Sequence, residues 1–88
     1  MFEQKATIEI PVGLYARPAT FLVQKANEFK SSIWIEKDER RVNAKSLLGV
    51  LSLAVAQGTT INILANGTDE VQAVETLCAL VNSDFAEE

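Results

Sequence analysis

Ile33-Trp34-Ile35-Glu36-Lys37-Asp38-Glu39-Arg40-Arg41-Val42-Asn43-Ala44 is the stretch on which the fold turns. Its opening residues are β-branched and aromatic, the composition of a strand lying on a core. Asp38-Glu39 is the turn, and Arg40 to Ala44 alternates weakly through Val42 and Ala44, so the segment predicts a hairpin with a short, edge-like second strand. A hairpin makes this pairing antiparallel.

On the C-terminal side, Ser46 stands before Leu47, Leu48, Val50, Leu51 and Leu53, with Gly58 beyond, which predicts a short helix with Ser46 as N-cap, weakened by Gly49. Thr60 to Ala65 alternates through Ile61, Ile63 and Ala65 as a further strand, and Asn66-Gly67 is a turn. Asp69 with Gln72 three residues on has the spacing of a capping box, followed by a helix with Val71, Val74, Leu77, Cys78, Val81 and Phe85 on one face. The acidic tail from Asp84 to Glu88 is expected to fray. On the N-terminal side, Ser31-Ser32 interrupts a helical pattern that runs from Ala16 to Phe29 through Ala19, Leu22, Val23 and Ala26. Pro18 fits the first turn of that helix, where its missing N–H is no loss. Glu3 to Ile10 alternates through Ala6, Ile8 and Ile10 as the first strand, and Pro11-Val12-Gly13 is a loop. The order is βαββαβα: a single α+β domain over residues 1–88, with one antiparallel sheet covered by helices on one face.

Eighty-eight residues suffice for one core and no second, and the 48% apolar content excludes a disordered chain. The formal charge of −4 argues against a direct nucleic-acid binder, whose affinity would come from neutralising phosphates. One cysteine, Cys78, permits no internal disulfide and has neither a second cysteine nor a histidine for a zinc site, so no metal or cofactor is expected. No run approaches the ~20 apolar residues of a membrane span, and the opening residues resemble no export signal, so a cytoplasmic location is expected. Cys78 lies on an apolar helix face and reads as core packing.

The most informative count is zero. There is no histidine, which removes Ser-His and Cys-His dyads and imidazole proton relays. With no acid–base pair or metal cluster in view either, an independent enzyme is disfavoured. Charge is also segregated: every Lys and Arg lies at or before Lys45, and the charged residues after it are all acidic. Folding the two halves together favours oriented docking to partners.

Two helix beginnings remain as candidate sites. Gly13-Leu14-Tyr15-Ala16-Arg17-Pro18-Ala19 sets an arginine and free backbone N–H groups at a helix start, although a cation there opposes the helix dipole and is most simply a solvated charge. Asn43-Ala44-Lys45-Ser46-Leu47-Leu48 sets a serine cap, structural by default, beside more leucines than so short a helix can bury. A phosphoryl group on Ser46 would meet the positive helix end and Lys45, and an apolar patch next to a switchable charge has the character of a partner surface.

These segments resemble the HPr phosphocarrier proteins of the bacterial sugar phosphotransferase system. Gly13-Leu14-x-Ala16-Arg17-Pro18-Ala19 is similar to their active-site segment and Lys45-Ser46-Leu47-Leu48 to their regulatory serine site, and the resemblance spans the whole chain. It implies an open-faced β-sandwich, a four-stranded antiparallel sheet with three helices on one face. The family carries its phosphorylatable histidine where this chain has Tyr15. A neutral imidazole is a nucleophile near pH 7, whereas phenols ionise near pH ~10 and form stable esters, so phosphotransfer is expected to be absent. Histidine lost and serine kept is similar to the catabolite-repression branch of the family, the Crh proteins, as are Glu36-Lys37-Asp38, Val42-Asn43-Ala44-Lys45-Ser46, Gly49 and Ser52-Leu53-Ala54-Val55. Even that branch usually carries glutamine where Tyr15 stands.

The resemblance implies that Ser46 is phosphorylated by the HPr kinase/phosphorylase and that the product is a corepressor for a LacI-type catabolite control regulator. Leu47, Leu48 and Leu51 would form the docking patch, Arg17 a charged contact, and Tyr15 its rim. The alternatives are a sugar-transport phosphocarrier and a constitutive adaptor that never uses Ser46. The short Pro11-Val12-Gly13 link also allows a strand-swapped homodimer.

Overall fold

A computed structural model describes residues 1–86. Its elements are β1 (Phe2–Thr7), α1 (Ala16–Ala26), β2 (Ser32–Lys37), β3 (Arg40–Asn43), α2 (Leu47–Ser52), β4 (Thr60–Asn66) and α3 (Glu70–Asn82). The strands form one sheet in the order β1-β4-β2-β3, every neighbour antiparallel, so β1 and β3 are the edges. The βαββαβα order and the α+β open-faced sandwich are those expected from the sequence.

Strand alternation divides the sheet into two faces. Phe2, Ala65 and Ile33 share one rung, and Ile63 and Ile35 the next, on the face that packs against Ala19, Leu22 and Ala26 of α1, Val50 of α2 and Val74, Leu77 and Val81 of α3. The opposite face carries Lys5, Asn62, Glu36 and Arg41 on one rung and Glu3, Leu64 and Trp34 on another, and among the described residues no helix covers it. There the Arg41 guanidinium sits 5.9 Å from the Trp34 ring centre and 3.6 Å from the Glu36 carboxylate.

Four local expectations are corrected. β1 ends at Thr7 rather than Ile10, because the Ile10 carbonyl accepts the Gly13 N–H at 3.0 Å and the chain turns. α1 ends at Ala26 rather than Phe29, because the Glu28 and Phe29 amides donate to Lys25 and Ala26 in tight turns and the Asn27 side chain takes the Val23 carbonyl at 2.9 Å. Asp69 does not pair with Gln72 in a capping box. Its carboxylate instead accepts the Lys30 N–H at 2.9 Å, the Ser31 N–H at 3.0 Å and the Ser31 hydroxyl, while Glu70 accepts the Gly67 N–H at 3.0 Å. The Ser31 hydroxyl, then the Lys30 N–H, hold Asp69 below the usual carboxylate range. Finally, the tail is ordered further than its charge suggests: Asp84 and Phe85 adopt left-handed φ of 57° and 59°, the Phe85 N–H donates to Leu80 at 2.8 Å, and the Phe85 ring is buried. The rest of the expected fraying, at residues 87 and 88, lies outside the described residues.

Candidate functional site

Gly13 shapes the loop before α1. Its φ is +75°, and a Cβ there would fall 2.5 Å from the Val55 carbonyl oxygen, so only glycine fits. The close approach lets the Leu14 N–H donate to that carbonyl at 2.9 Å, anchoring the loop to the segment after α2 while Leu14 fills the core. Tyr15 follows as the N-cap of α1, in extended conformation and with no capping bond from its side chain, which is 54% exposed. Ala16 then enters the helix at φ +50°, a left-handed conformation that costs a non-glycine residue about 1–2 kcal/mol. Arg17 is exposed, with its guanidinium 5.8 Å from the Phe21 ring centre one turn along, and the first turn holds no acidic side chain.

Ser46 begins the second cluster. Its hydroxyl accepts the Gly49 N–H at 3.2 Å, so the cap read from the sequence is formed. Asn43 prepares the entry: its side-chain oxygen accepts the Lys45 N–H at 2.8 Å and its carbonyl the Ser46 N–H at 3.1 Å. The Lys45 ammonium is committed elsewhere, donating to the Phe29 carbonyl at 2.7 Å, so it does not stand over Ser46 as its sequence position suggested. Of the leucines, Leu48 is 82% and Leu47 40% exposed, Leu51 is half-buried, and Leu53 and Val50 are in the core.

The two clusters lie on one pair of helices but at opposite ends. α1 starts beside Val55, just past the end of α2, and its exit is tied to the start of α2 by the Asn27 side chain, which donates to the Lys45 carbonyl at 3.3 Å. The helices are therefore antiparallel, and the exposed leucines begin at the Ser46 end. No local pattern pairs Gly13 with Val55, because their contact depends on a carbonyl that follows the turn at Ala54, far along the chain. Cys78 lies at the α3–β1 contact, 3.8 Å from the Gln4 carbonyl, and burial pushes its thiol up to about 11. Among the described residues no group of three or more potential ligands could hold a metal ion, and no helix is long and apolar enough to cross a membrane.

Comparison with known proteins returns the same architecture. The HPr-like protein Crh of Bacillus subtilis is 46% identical over 84 residues, which are 96% of this chain and 99% of that protein. The crystal structure of HPr-C-His from Thermoanaerobacter tengcongensis matches with a TM-score of 0.96 at 46% identity, over 100% of this chain and 99% of the other. Crystalline Bacillus subtilis Crh, described as a dimer with a swapping domain, matches at 45% identity with a TM-score of 0.77, over 99% of this chain and 100% of the other. A family model described as the PTS HPr component phosphorylation site matches residues 2–83, a span that takes in both the Tyr15 loop and the Ser46 cap, and the chain belongs to the HPr family.

Proposed function

We propose that this chain is a regulatory phosphoprotein of carbon catabolite repression and not a carrier of phosphohistidine. The observation that carries the reading is the exchange of chemistries at its two clusters. Tyr15 occupies the family's histidine position in a chain without any histidine, while Ser46 keeps its place beside the exposed Leu47 and Leu48. The HPr kinase/phosphorylase transfers the γ-phosphoryl group of ATP to the Ser46 oxygen. The new Ser46 O–P bond replaces the bond to ADP, and the hydroxyl proton leaves to solvent or a kinase base. The phosphoserine adds about −1.5 to −2 charge next to the leucines, and the LacI-type catabolite control regulator reads charge and apolar surface together. Leu47, Leu48 and Leu51 supply area, Arg17 a polar contact, and Tyr15 the far rim. DNA binding belongs to the regulator.

Intact-mass analysis tests the reading in two arms. Incubation with HPr kinase/phosphorylase and ATP should add one phosphate, lost in Ser46→Ala; incubation with phosphoenolpyruvate and the upstream phosphotransferase enzyme should add none. Phosphate gained only in the second arm would make the chain a phosphocarrier, and no gain in either arm would make it a constitutive adaptor.

Assembly by strand exchange is part of the same proposal. β1 is an edge strand that among the described residues pairs only with β4, so it can leave without opening the middle of the sheet. The swapped dimer described for Crh supports this route, and light scattering over a wide concentration range tests it: monomer alone after long incubation would exclude it.

A further inference from the structure

The turn joining β2 to β3 breaks two local rules at once. Asp38 and Glu39 both lie in the left-handed region, at φ 51° and 69°, where two-residue hairpin turns ordinarily use Asn-Gly. The residues that close the turn, Lys37 and Arg40, stand directly opposite one another and carry like charge, which opposes pairing. Local costs of this kind persist where the surrounding structure offsets them.

The offset lies at the end of α2. This helix has six residues with Gly49 among them and no basic residue in its last turn, so it is too short to hold itself. Its exit nevertheless has every carbonyl taken. Gly49 accepts from the Ser52 hydroxyl at 2.6 Å, Val50 from the Leu53 N–H at 3.2 Å and Leu51 from the Ala54 N–H at 3.1 Å. The chain then turns at Ala54, φ 52°, and the next three carbonyls are met by the hairpin: Arg40 Nη1 donates to Ser52 at 3.0 Å, and Lys37 Nζ to Leu53 and Ala54, both at 3.1 Å. Arg40 Nη2 also lies 3.4 Å from the Ser52 hydroxyl oxygen. Val55 follows, accepting from Leu14, so the ladder continues into the Tyr15 loop. Two cations thus sit at the negative end of a helix whose own sequence supplies none.

We propose that Lys37 and Arg40 are positioning residues: from the strained hairpin they hold the C-terminal end of α2 and fix Leu47, Leu48 and Leu51 in the arrangement a partner reads. The partner clause rests on the docking function proposed above; the hold on α2 does not. Neither side chain belongs to the patch, so the two act on docking through helix geometry.

The test is amide hydrogen exchange by NMR on the full chain, comparing wild type with Lys37→Met, Arg40→Met, the double variant and Lys37→Arg. Lys25→Met is the control, since that ammonium faces Glu28, just past the end of α1, at 3.5 Å. The Val50, Leu53 and Ala54 amides should exchange about tenfold faster in either Met variant, faster still in the double, and at the wild-type rate in Lys37→Arg and Lys25→Met. Amides of Ile61 and Ile63 in β4 should hold their rates. Unchanged α2 exchange, or equal acceleration in α2 and β4, overturns the proposal. Affinity of the Ser46-phosphorylated protein for the regulator should fall about tenfold in Lys37→Met and return in Lys37→Arg. Full affinity alongside accelerated α2 exchange overturns the positioning role. No binding by phosphorylated wild type overturns the docking function and the partner clause with it, while the exchange result decides the hold on α2 by itself.

Discussion

The Asn27 side-chain amide donates to the Lys45 carbonyl at 3.3 Å and sets the exit of α1 against the entrance of α2. Since the eleven residues of α1 span about 16 Å, Tyr15 at its start is a helix length from Ser46. The family's two phosphorylation chemistries are therefore separated along one pair of helices. Substitutions at either end should act independently on stability.

Ser46→Ala removes the acceptor of the Gly49 N–H and should cost about 1 kcal/mol in chemical denaturation. It should also leave no site for the kinase. Ser46→Asp keeps a cap but offers one carboxylate in place of a phosphate, so regulator binding in a titration should stay well below that of the phosphorylated protein.

Leu48 and Val50 are two residues apart on α2, with Leu48 82% exposed and Val50 fully buried. Leu48→Asp should leave the unfolding midpoint within experimental scatter and abolish docking of the phosphorylated protein. Val50→Ala should cost about 2 kcal/mol by emptying part of the core. A Leu48→Asp variant that binds at full strength would remove the leucines from the docking surface.

Tyr15→His should fold as wild type, because the side chain is 54% exposed and makes no capping bond. Given phosphoenolpyruvate and the upstream enzyme, it should gain an acid-labile phosphate that the wild type does not, detectable by intact mass. Arg17 and the start of α1 remain in place to stabilise that product. A silent variant would show that the loop differs from a phosphocarrier in more than one side chain.

Asp69 ties the Lys30-Ser31 turn to the start of α3, and the Ser31 hydroxyl and Lys30 N–H hold its carboxyl below the ordinary range. A folded-state pKa below the unfolded one gives stability that is present above the unfolded pKa, ~3.9, and is lost as pH falls through the depressed folded value. Asp69→Asn should lower the unfolding midpoint at pH 7 and flatten its fall under acid. A circular-dichroism melt series from pH 7 to pH 2 measures both.

The local pattern of the chain carried the element order, the Asp38-Glu39 turn and the Ser46 cap, because each depends on residues within a few positions of one another. It erred where a side chain had two satisfactory uses. Asp69 has the spacing to cap its own helix, yet a distant pair of N–H groups and a buried hydroxyl offer its charge more donors. Lys45 adjoins Ser46 in sequence, yet its flexible stem carries the ammonium to the Phe29 carbonyl. The expected fraying failed at Phe85 because one buried ring outweighs the acidic residue before it.

Sequence alone determined that this chain has an α+β fold and no histidine, with a tyrosine at the start of its first helix and a serine capping its second. Those properties follow from composition, periodicity and local hydrogen-bonding chemistry. Tertiary structure decided which leucines face solvent, that Val55 anchors the Tyr15 loop, and that Lys37 and Arg40 close the end of α2. The reason is physical: a helix terminus leaves carbonyls that any donor within reach can satisfy, and reach is set by how strands and helices pack, not by distance along the chain.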